Sequence, residues 1–142
     1  RDRNMNFAVS SDEGYVNAYI FERGSGLNTL DKKWADEWRD KINKDYSVHK
    51  IKKKTLSQIL KNLNVKKKFE LLNIDVEGHE YEVLKGFNFN DFQPSIITIE
   101  IHVKKTKEIF ETQTYKILHK NKFELISHYH QTSFFKHKES NI

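Results

Sequence analysis

The chain has 142 residues with 37% hydrophobic and 13% aromatic content, which fits one folded domain over residues 1–142 and argues against disorder. Its lack of cysteine excludes disulfides and thiolate metal sites and suits a reducing compartment, so we expect a cytoplasmic protein. The net charge of +5 includes lysine runs at residues 52–54 and 66–68, which are typical of a solvated face, and no apolar run is long enough to span a membrane.

The first third of the chain predicts a strand, a loop and a helix. Residues 15–21 are rich in aromatic and β-branched side chains, as expected of a strand. Gly24 and Gly26 follow, but Thr29 stands where a dinucleotide-binding loop has its third glycine, so an ordinary loop is favoured. An apolar residue then recurs at every fourth position, which predicts an amphipathic helix with its tryptophans in the core or in a lid: Leu30, Trp34, Trp38 and Ile42.

A basic segment precedes the second predicted helix. Residues 49–53 place one isoleucine among basic side chains, a pattern that predicts an edge strand whose lysines discourage further pairing. Thr55 and Gln58 have the spacing of a helix capping box, and the apolar residues that follow Thr55 mark one face of a short helix.

The most informative stretch is residues 69–86. Its first half is a nearly continuous apolar run, which predicts a strand buried on both faces. Asp75 and Glu77 fall where that strand should end, Gly78 relaxes the backbone, and Gly86 is a natural stop for the helix that follows. The two carboxylates either cap that helix or belong to a site at the carboxyl end of the strand, where open α/β sheets bind their ligands.

The second half of the chain continues the alternation of strands and helices. A second buried strand is predicted at residues 95–102 after Pro94, a helix at 106–120, and two final strands at 123–129 and 132–135 that are joined by a tight turn. This order favours an α/β fold with a mostly parallel sheet, covering helices and an antiparallel hairpin at one edge.

The two central strands would bring three carboxylates and an imidazole to one rim of the sheet. These side chains are Asp75 and Glu77 on the first strand and Glu100 and His102 on the second. His102 could act as a general base oriented by Glu100, or the group could hold a divalent cation through oxygen and nitrogen ligands. A salt-bridged or solvated rim without chemistry is the third interpretation, and the spacing alone leaves all three open.

Three histidines near the C-terminus are also closely spaced. His128 and His130 lie two positions apart and His137 follows, but no cysteine or matched acidic residue accompanies them. We therefore predict that they are surface residues and that they form no zinc site.

At the central stretch the sequence resembles a known family. Residues 71–86, which contain Asp75-Val-Glu77-Gly78 and end in Leu-Lys-Gly86, are similar to the signature segment of the FkbM-type methyltransferases. Residues 94–102 resemble that family's next strand with its terminal acid, residues 54–60 its upstream threonine-leucine helix, and residues 6–14 its third sheet strand and turn.

The resemblance implies a Rossmann-like, S-adenosylmethionine-dependent O-methyltransferase that acts on a hydroxyl of a sugar, glycolipid or polyketide-type acceptor. It implies cofactor contacts at Asp75, Glu77 and Ser10 and acceptor contacts at Glu77 and His79. For the catalytic residues we predict His102 as proton acceptor, with Glu100 and Asp75 beside it; the His102 assignment follows from the rim more than from the family.

One departure from the family pattern leads to a further expectation. The family places its glycine-rich cofactor loop and its ribose-binding acid in two strands ahead of the third, and no residues precede Arg1 to carry them. We therefore expect a domain without the first two strands, either part of a longer enzyme or a degenerate relative, with an unpaired edge beside the Asp75 strand. A non-catalytic module that binds an anionic partner through its lysines, either nucleic acid or an acidic glycan, is the competing class, although nucleic acid is the less expected partner.

Overall fold

A computed structural model describes residues 3–141, which form seven β-strands, four α-helices and one short 3₁₀ helix. In chain order these are β1 (Ala8–Val9), β2 (Gly14–Ile20), α1 (Lys32–Ile42), β3 (Ser47–Lys54), α2 (Leu56–Asn62), β4 (Lys68–Ile74), α3 (Glu80–Lys85), β5 (Gln93–Glu100), the 3₁₀ helix (Thr106–Glu111), α4 (Gln113–Lys120), β6 (Phe123–Tyr129) and β7 (Thr132–His137). The helix predicted over residues 106–120 is divided, because Thr112 is extended and caps α4 by accepting a hydrogen bond from the backbone N–H of Tyr115.

The strands form two mixed sheets, with the orders β1-β3-β2 and β4-β5-β7-β6. β4 and β5 are parallel, whereas β7 pairs antiparallel with both β5 and β6. The α/β class and the C-terminal hairpin are therefore confirmed. The single, mostly parallel sheet that we predicted is not observed, because β3 pairs with β1 and β2 in a sheet of its own.

β3 lies between β1 and β2 in its sheet, so the prediction of an edge strand at residues 49–53 is wrong for Lys53. β2 pairs antiparallel with β3 along most of its length, whereas β1 pairs in parallel only with Lys53 and Lys54, so residues 49–52 keep one unpaired edge within the described part of the chain. Lysines on β3 discourage pairing with a strand of another molecule. β1 and β2 belong to the same chain, and the turn at residues 10–14 connects them next to β3.

β4 is buried on one face only, which corrects the prediction of a strand buried on both. Leu72 and Ile74 are buried, whereas Leu71 is 56% exposed and Asn73 is exposed. β4 is the terminal strand of its sheet, so the expected unpaired edge is present beside it. An apolar cleft with a volume of about 160 Å³ lies against it and is lined in part by Val9, Leu72 and Val76.

The main core lies against the four-stranded sheet. It combines the inward side chains of β4, β5, β6 and β7 with residues of α3 and α4, and includes Leu84, Ile97, Ile99, Leu118, Phe123 and Phe135. A smaller cluster joins α1 to β2 through Ala35, Tyr19 and Phe21. None of the helices in residues 3–141 is long and apolar enough to cross a membrane.

His137 belongs to this packed interior, so its prediction as a surface residue is wrong. Alternate side chains of β7 point inward, and His137 is 6% exposed and packs against Phe123 at a ring distance of 4.9 Å. Its ring nitrogens contact the side-chain amide of Gln93, and burial lowers the pKa of the imidazole.

Candidate active site

The parallel pairing of β4 and β5 brings the predicted carboxylates together. Asp75 follows directly after β4, Glu100 is the last residue of β5, and the register pairs Ile74 with Ile99 one position earlier. Oxygen atoms of Asp75, Glu77 and Glu100 all lie within 4.8 Å of one another. The rim predicted from the sequence is thus a real acidic cluster at the carboxyl ends of adjacent parallel strands, the usual ligand-binding edge of an α/β sheet.

The loop after β4 holds Glu77 in an uncommon conformation. Glu77 has a φ of 52°, in the left-handed region that L-residues seldom adopt, and Gly78 follows with a φ of 92°. The Thr29 hydroxyl donates a hydrogen bond of 2.6 Å to the backbone carbonyl of Glu77. Left-handed backbone at a non-glycine residue is concentrated at functional sites, where the surrounding structure has to enforce it.

Glu80 is the residue that fixes this loop, and our sequence reasoning did not single it out. Its carboxylate is buried and accepts hydrogen bonds of 3.2 Å from the backbone N–H groups of Val76 and Gly78. The capping interpretation of Asp75 and Glu77 is wrong, because His79 is the N-cap residue of α3 and no side chain caps the helix. An acid three residues after Glu77, at the start of the helix pattern, was the available signal.

His102 lies just beyond β5 and faces both Glu100 and an aromatic ring. Its Nε2 is 3.2 Å from Oε2 of Glu100, an ion-pair distance, although the angle is not that of a hydrogen bond and Nε2 is buried without a hydrogen-bond partner. Trp34 packs on the imidazole with a centroid distance of 4.6 Å. The predicted pairing of Glu100 with His102 is therefore observed.

The segment that precedes α1 and the start of α1 form a wall over the rim. A Cβ atom at Gly26 would lie 3.7 Å from Oε1 of Glu77, and one at Gly78 would lie 3.4 Å from the Trp34 ring. Asp31 caps α1 by accepting a hydrogen bond from the Trp34 backbone N–H at 3.0 Å. Of the two tryptophans predicted to lie in the core or in a lid, Trp34 lies over the rim, whereas Trp38 packs against the smaller core cluster.

The proximity of like charges perturbs the rim carboxyls. Burial, together with the charges of Glu100, Asp75 and Glu80, raises the pKa of Glu77 to about 7. Burial and the charge of Asp75 also raise the pKa of Glu100, while His102 opposes that rise. The rim therefore carries an excess of negative charge at neutral pH that a cation would relieve.

We expect Glu77→Gln to stabilise the protein increasingly as pH rises. Folding raises the pKa of Glu77 to about 7, so the folded protein is favoured at low pH, where this carboxyl is protonated. That stability is lost as pH rises through the folded pKa. Glutamine does not ionise and therefore has no such loss. Discounted for solvent screening, the gain at pH 8 is on the order of 1 kcal/mol, or roughly 3 °C in Tm. Thermal unfolding of both proteins between pH 4 and 8 measures it.

Glu70→Gln is the control for that comparison, because Glu70 is exposed on β4 outside the acidic cluster. Its difference from the unmodified protein should stay small at all pH values. A Tm difference between Glu77→Gln and the unmodified protein that does not grow between pH 4 and 8 would show that ionisation of Glu77 does not destabilise the folded state.

Ser10 and His79, the remaining predicted site residues, contact each other. The Ser10 hydroxyl lies 3.0 Å from Nε2 of His79, and Ser10 is 3% exposed. Burial lowers the pKa of His79, so its imidazole tends toward the neutral form. This contact ties the end of β1 to the loop that carries Glu77.

Comparison with protein families agrees with this arrangement. The model of the methyltransferase FkbM domain matches residues 1–133, nearly the whole chain. The chain belongs to the FkbM methyltransferase family. No curated protein and no solved structure matches it significantly.

Membership in the FkbM family gives the acidic rim a functional setting. The family implies methyltransferase activity. Such an enzyme has to bind a methyl donor next to the molecule that accepts the methyl group. The rim oxygens of Asp75, Glu77 and Glu100 suit a positively charged group, and their spacing would also suit a hard divalent cation.

Proposed function

We propose that this protein is an S-adenosylmethionine-dependent O-methyltransferase that acts on a hydroxyl of a sugar, glycolipid or polyketide-type acceptor. The observation that carries the proposal is the convergence of Asp75, Glu77 and Glu100 at the ends of β4 and β5, with the His102 imidazole beside them. Family membership supports methyl transfer as the class of reaction. The carboxylates and the imidazole of the rim are the groups that we propose take part in it.

The acidic cluster fits the charge of the proposed cofactor. When bound, S-adenosylmethionine supplies a methyl group activated by a positively charged sulfur. Asp75 and Glu77 would hold that positive end. Burial and the neighbouring carboxylates raise the pKa of Glu77 to about 7, and a positive group beside the rim would relieve this repulsion between like charges. Ser10 remains a proposed cofactor contact at the end of β1, on the same side of the fold as His79.

His102 and Glu100 provide the proton chemistry. An acceptor hydroxyl has to lose its proton as its oxygen becomes methylated, and the imidazole of His102 can take that proton. Oε2 of Glu100, 3.2 Å from Nε2, then stabilises the imidazolium. The Rossmann-like arrangement expected of such enzymes is part of this proposal.

The acceptor would lie between the rim and the wall formed by Trp34. Glu77 and His79 are the proposed acceptor contacts, and Trp34 covers His102 and Gly78. Exclusion of water by the indole strengthens the electrostatic interactions of the rim and favours positioning of one hydroxyl for in-line transfer.

We expect His102→Gln to lower the rate of methyl transfer about 100-fold, the usual contribution of a positioned general base. In His102→Ala, which leaves room for the ring, added imidazole should restore part of that rate because it replaces the lost proton acceptor. The measurement is transfer of a labelled methyl group from S-adenosylmethionine to hydroxyl acceptors. His49→Gln is the matched control, since His49 is exposed on β3. Full activity of His102→Gln would remove His102 from the mechanism.

A further inference from the structure

One face of the three-stranded sheet carries an ordered row of lysines. Lys50, Lys52 and Lys54 are alternate residues of β3, so their side chains leave the strand on the same side. The register places Asn17 opposite Lys50 and Tyr15 opposite Lys52. We call this surface the basic face and define it by Tyr15, Asn17, Val48, Lys50, Lys52 and Lys54.

The basic face is uncovered over most of its area. Tyr15 is 64% exposed, Val48 is 54% exposed, and Lys50 and Lys52 are exposed. Tyr15 and Val48 lie near the two ends of the β2–β3 ladder, so the lysine row runs between two exposed apolar side chains.

The three lysines of the basic face have no acidic partner. Within residues 3–141 no carboxylate oxygen lies within 4.0 Å of their ammonium groups. Lys53, which points to the opposite side of β3, is paired with Asp12. The positive charge of the row is therefore available to an external anion.

Each aromatic ring near the row has a lysine ammonium group beside it. The ammonium group of Lys50 lies 5.4 Å from the centre of the Tyr15 ring, and that of Lys54 lies 4.4 Å from the centre of the Phe7 ring. Single-stranded nucleic acids bind through successive bases stacked on several open aromatic rings, whereas Tyr15 is the one ring of the basic face and Lys50 lies beside it. Lysines beside an exposed tyrosine and an exposed valine are instead the composition of a surface that rests on lipid headgroups.

We propose that the basic face docks on an anionic phospholipid bilayer, with its lysines among the headgroup phosphates and with Tyr15 and Val48 at the level of the headgroups. The row of lysines and the exposed Tyr15 and Val48 side chains favour an anionic surface with apolar groups beneath it as the partner. The proposal goes beyond methyl transfer and does not depend on it, since none of the face residues belongs to the acidic rim.

Co-sedimentation with vesicles tests the proposal. The folded protein is mixed with vesicles of phosphatidylcholine alone or of phosphatidylcholine with phosphatidylglycerol, at low and at high salt. We expect binding to the anionic vesicles only, and weaker binding at high salt because ions screen surface charges. At roughly fivefold for each lysine, the triple variant Lys50→Gln, Lys52→Gln and Lys54→Gln should lose about 100-fold in partition coefficient.

Two further variants make the test specific. Lys66→Gln, Lys104→Gln and Lys107→Gln together remove the same charge from exposed sites away from the basic face and should retain most of the binding. Tyr15→Ser keeps every charge and should weaken binding several-fold. Equal losses in both triple variants, equal binding to neutral vesicles, no effect of Tyr15→Ser, or binding to a single-stranded oligonucleotide in preference to vesicles would each overturn the proposal.

Discussion

Gly86→Ala is expected to destabilise the protein by about 3 kcal/mol or more, which corresponds to a fall of roughly 10 °C in Tm. A Cβ atom at position 86 would lie 2.3 Å from the backbone oxygen of Ser10 and 3.2 Å from the Cα atom of Ser11. Both contacts are with backbone, so no side-chain rotation can relieve them. The backbone of β1 and its turn would have to move away from α3.

Gly26→Ala is the control for Gly86→Ala. Its Cβ atom would meet only Oε1 of Glu77, at an ordinary contact distance of 3.7 Å, and its backbone is outside the left-handed region. Alanine there should change the unfolding free energy by less than about 1 kcal/mol. Chemical denaturation of the three proteins gives the comparison, and equal stability of Gly86→Ala and Gly26→Ala would refute the close approach of β1 to α3.

Asp75→Asn is expected to lower methyl transfer about 100-fold, the effect of removing one preorganised electrostatic group from an active site. Asp75 is the exposed member of the acidic cluster, so its replacement should leave the fold intact. The charge that would favour the positive sulfur of the proposed cofactor is lost, while the size of the side chain is kept. The rate of labelled methyl transfer, together with the Tm of each protein, separates loss of chemistry from loss of structure.

The matched control for Asp75→Asn is Asp45→Asn, because Asp45 is exposed in the turn before β3. It removes one carboxylate with the same change of side chain and should retain the full rate. A rate for Asp75→Asn equal to that of Asp45→Asn would refute the role given to Asp75.

The sequence predicted those parts of the fold that depend on local pattern. Turn chemistry and β-branched residues located β2 and the C-terminal hairpin, and the apolar runs located β4 and β5. The positions of Asp75 and Glu100 at strand ends were enough to predict the acidic rim, because parallel strands carry their carboxyl ends to one edge.

Features that depend on distant parts of the chain could not be predicted. The central position of β3 follows from its pairing with β1 and β2, which no local pattern in a basic strand reveals. Trp34 contacts His102 across 68 positions of the chain, a separation that no local pattern can bridge. Gly86 was predicted as a helix stop, but its φ of −84° is ordinary and its close contact with Ser10 is what demands glycine.

Calorimetric titration of S-adenosylmethionine and S-adenosylhomocysteine into the protein at its full natural length tests the central claim most directly. We predict saturable binding of both compounds, weakened by Asp75→Asn more for S-adenosylmethionine, because only that compound carries the positive sulfur that the rim favours. The absence of binding by either compound would contradict the proposed reaction.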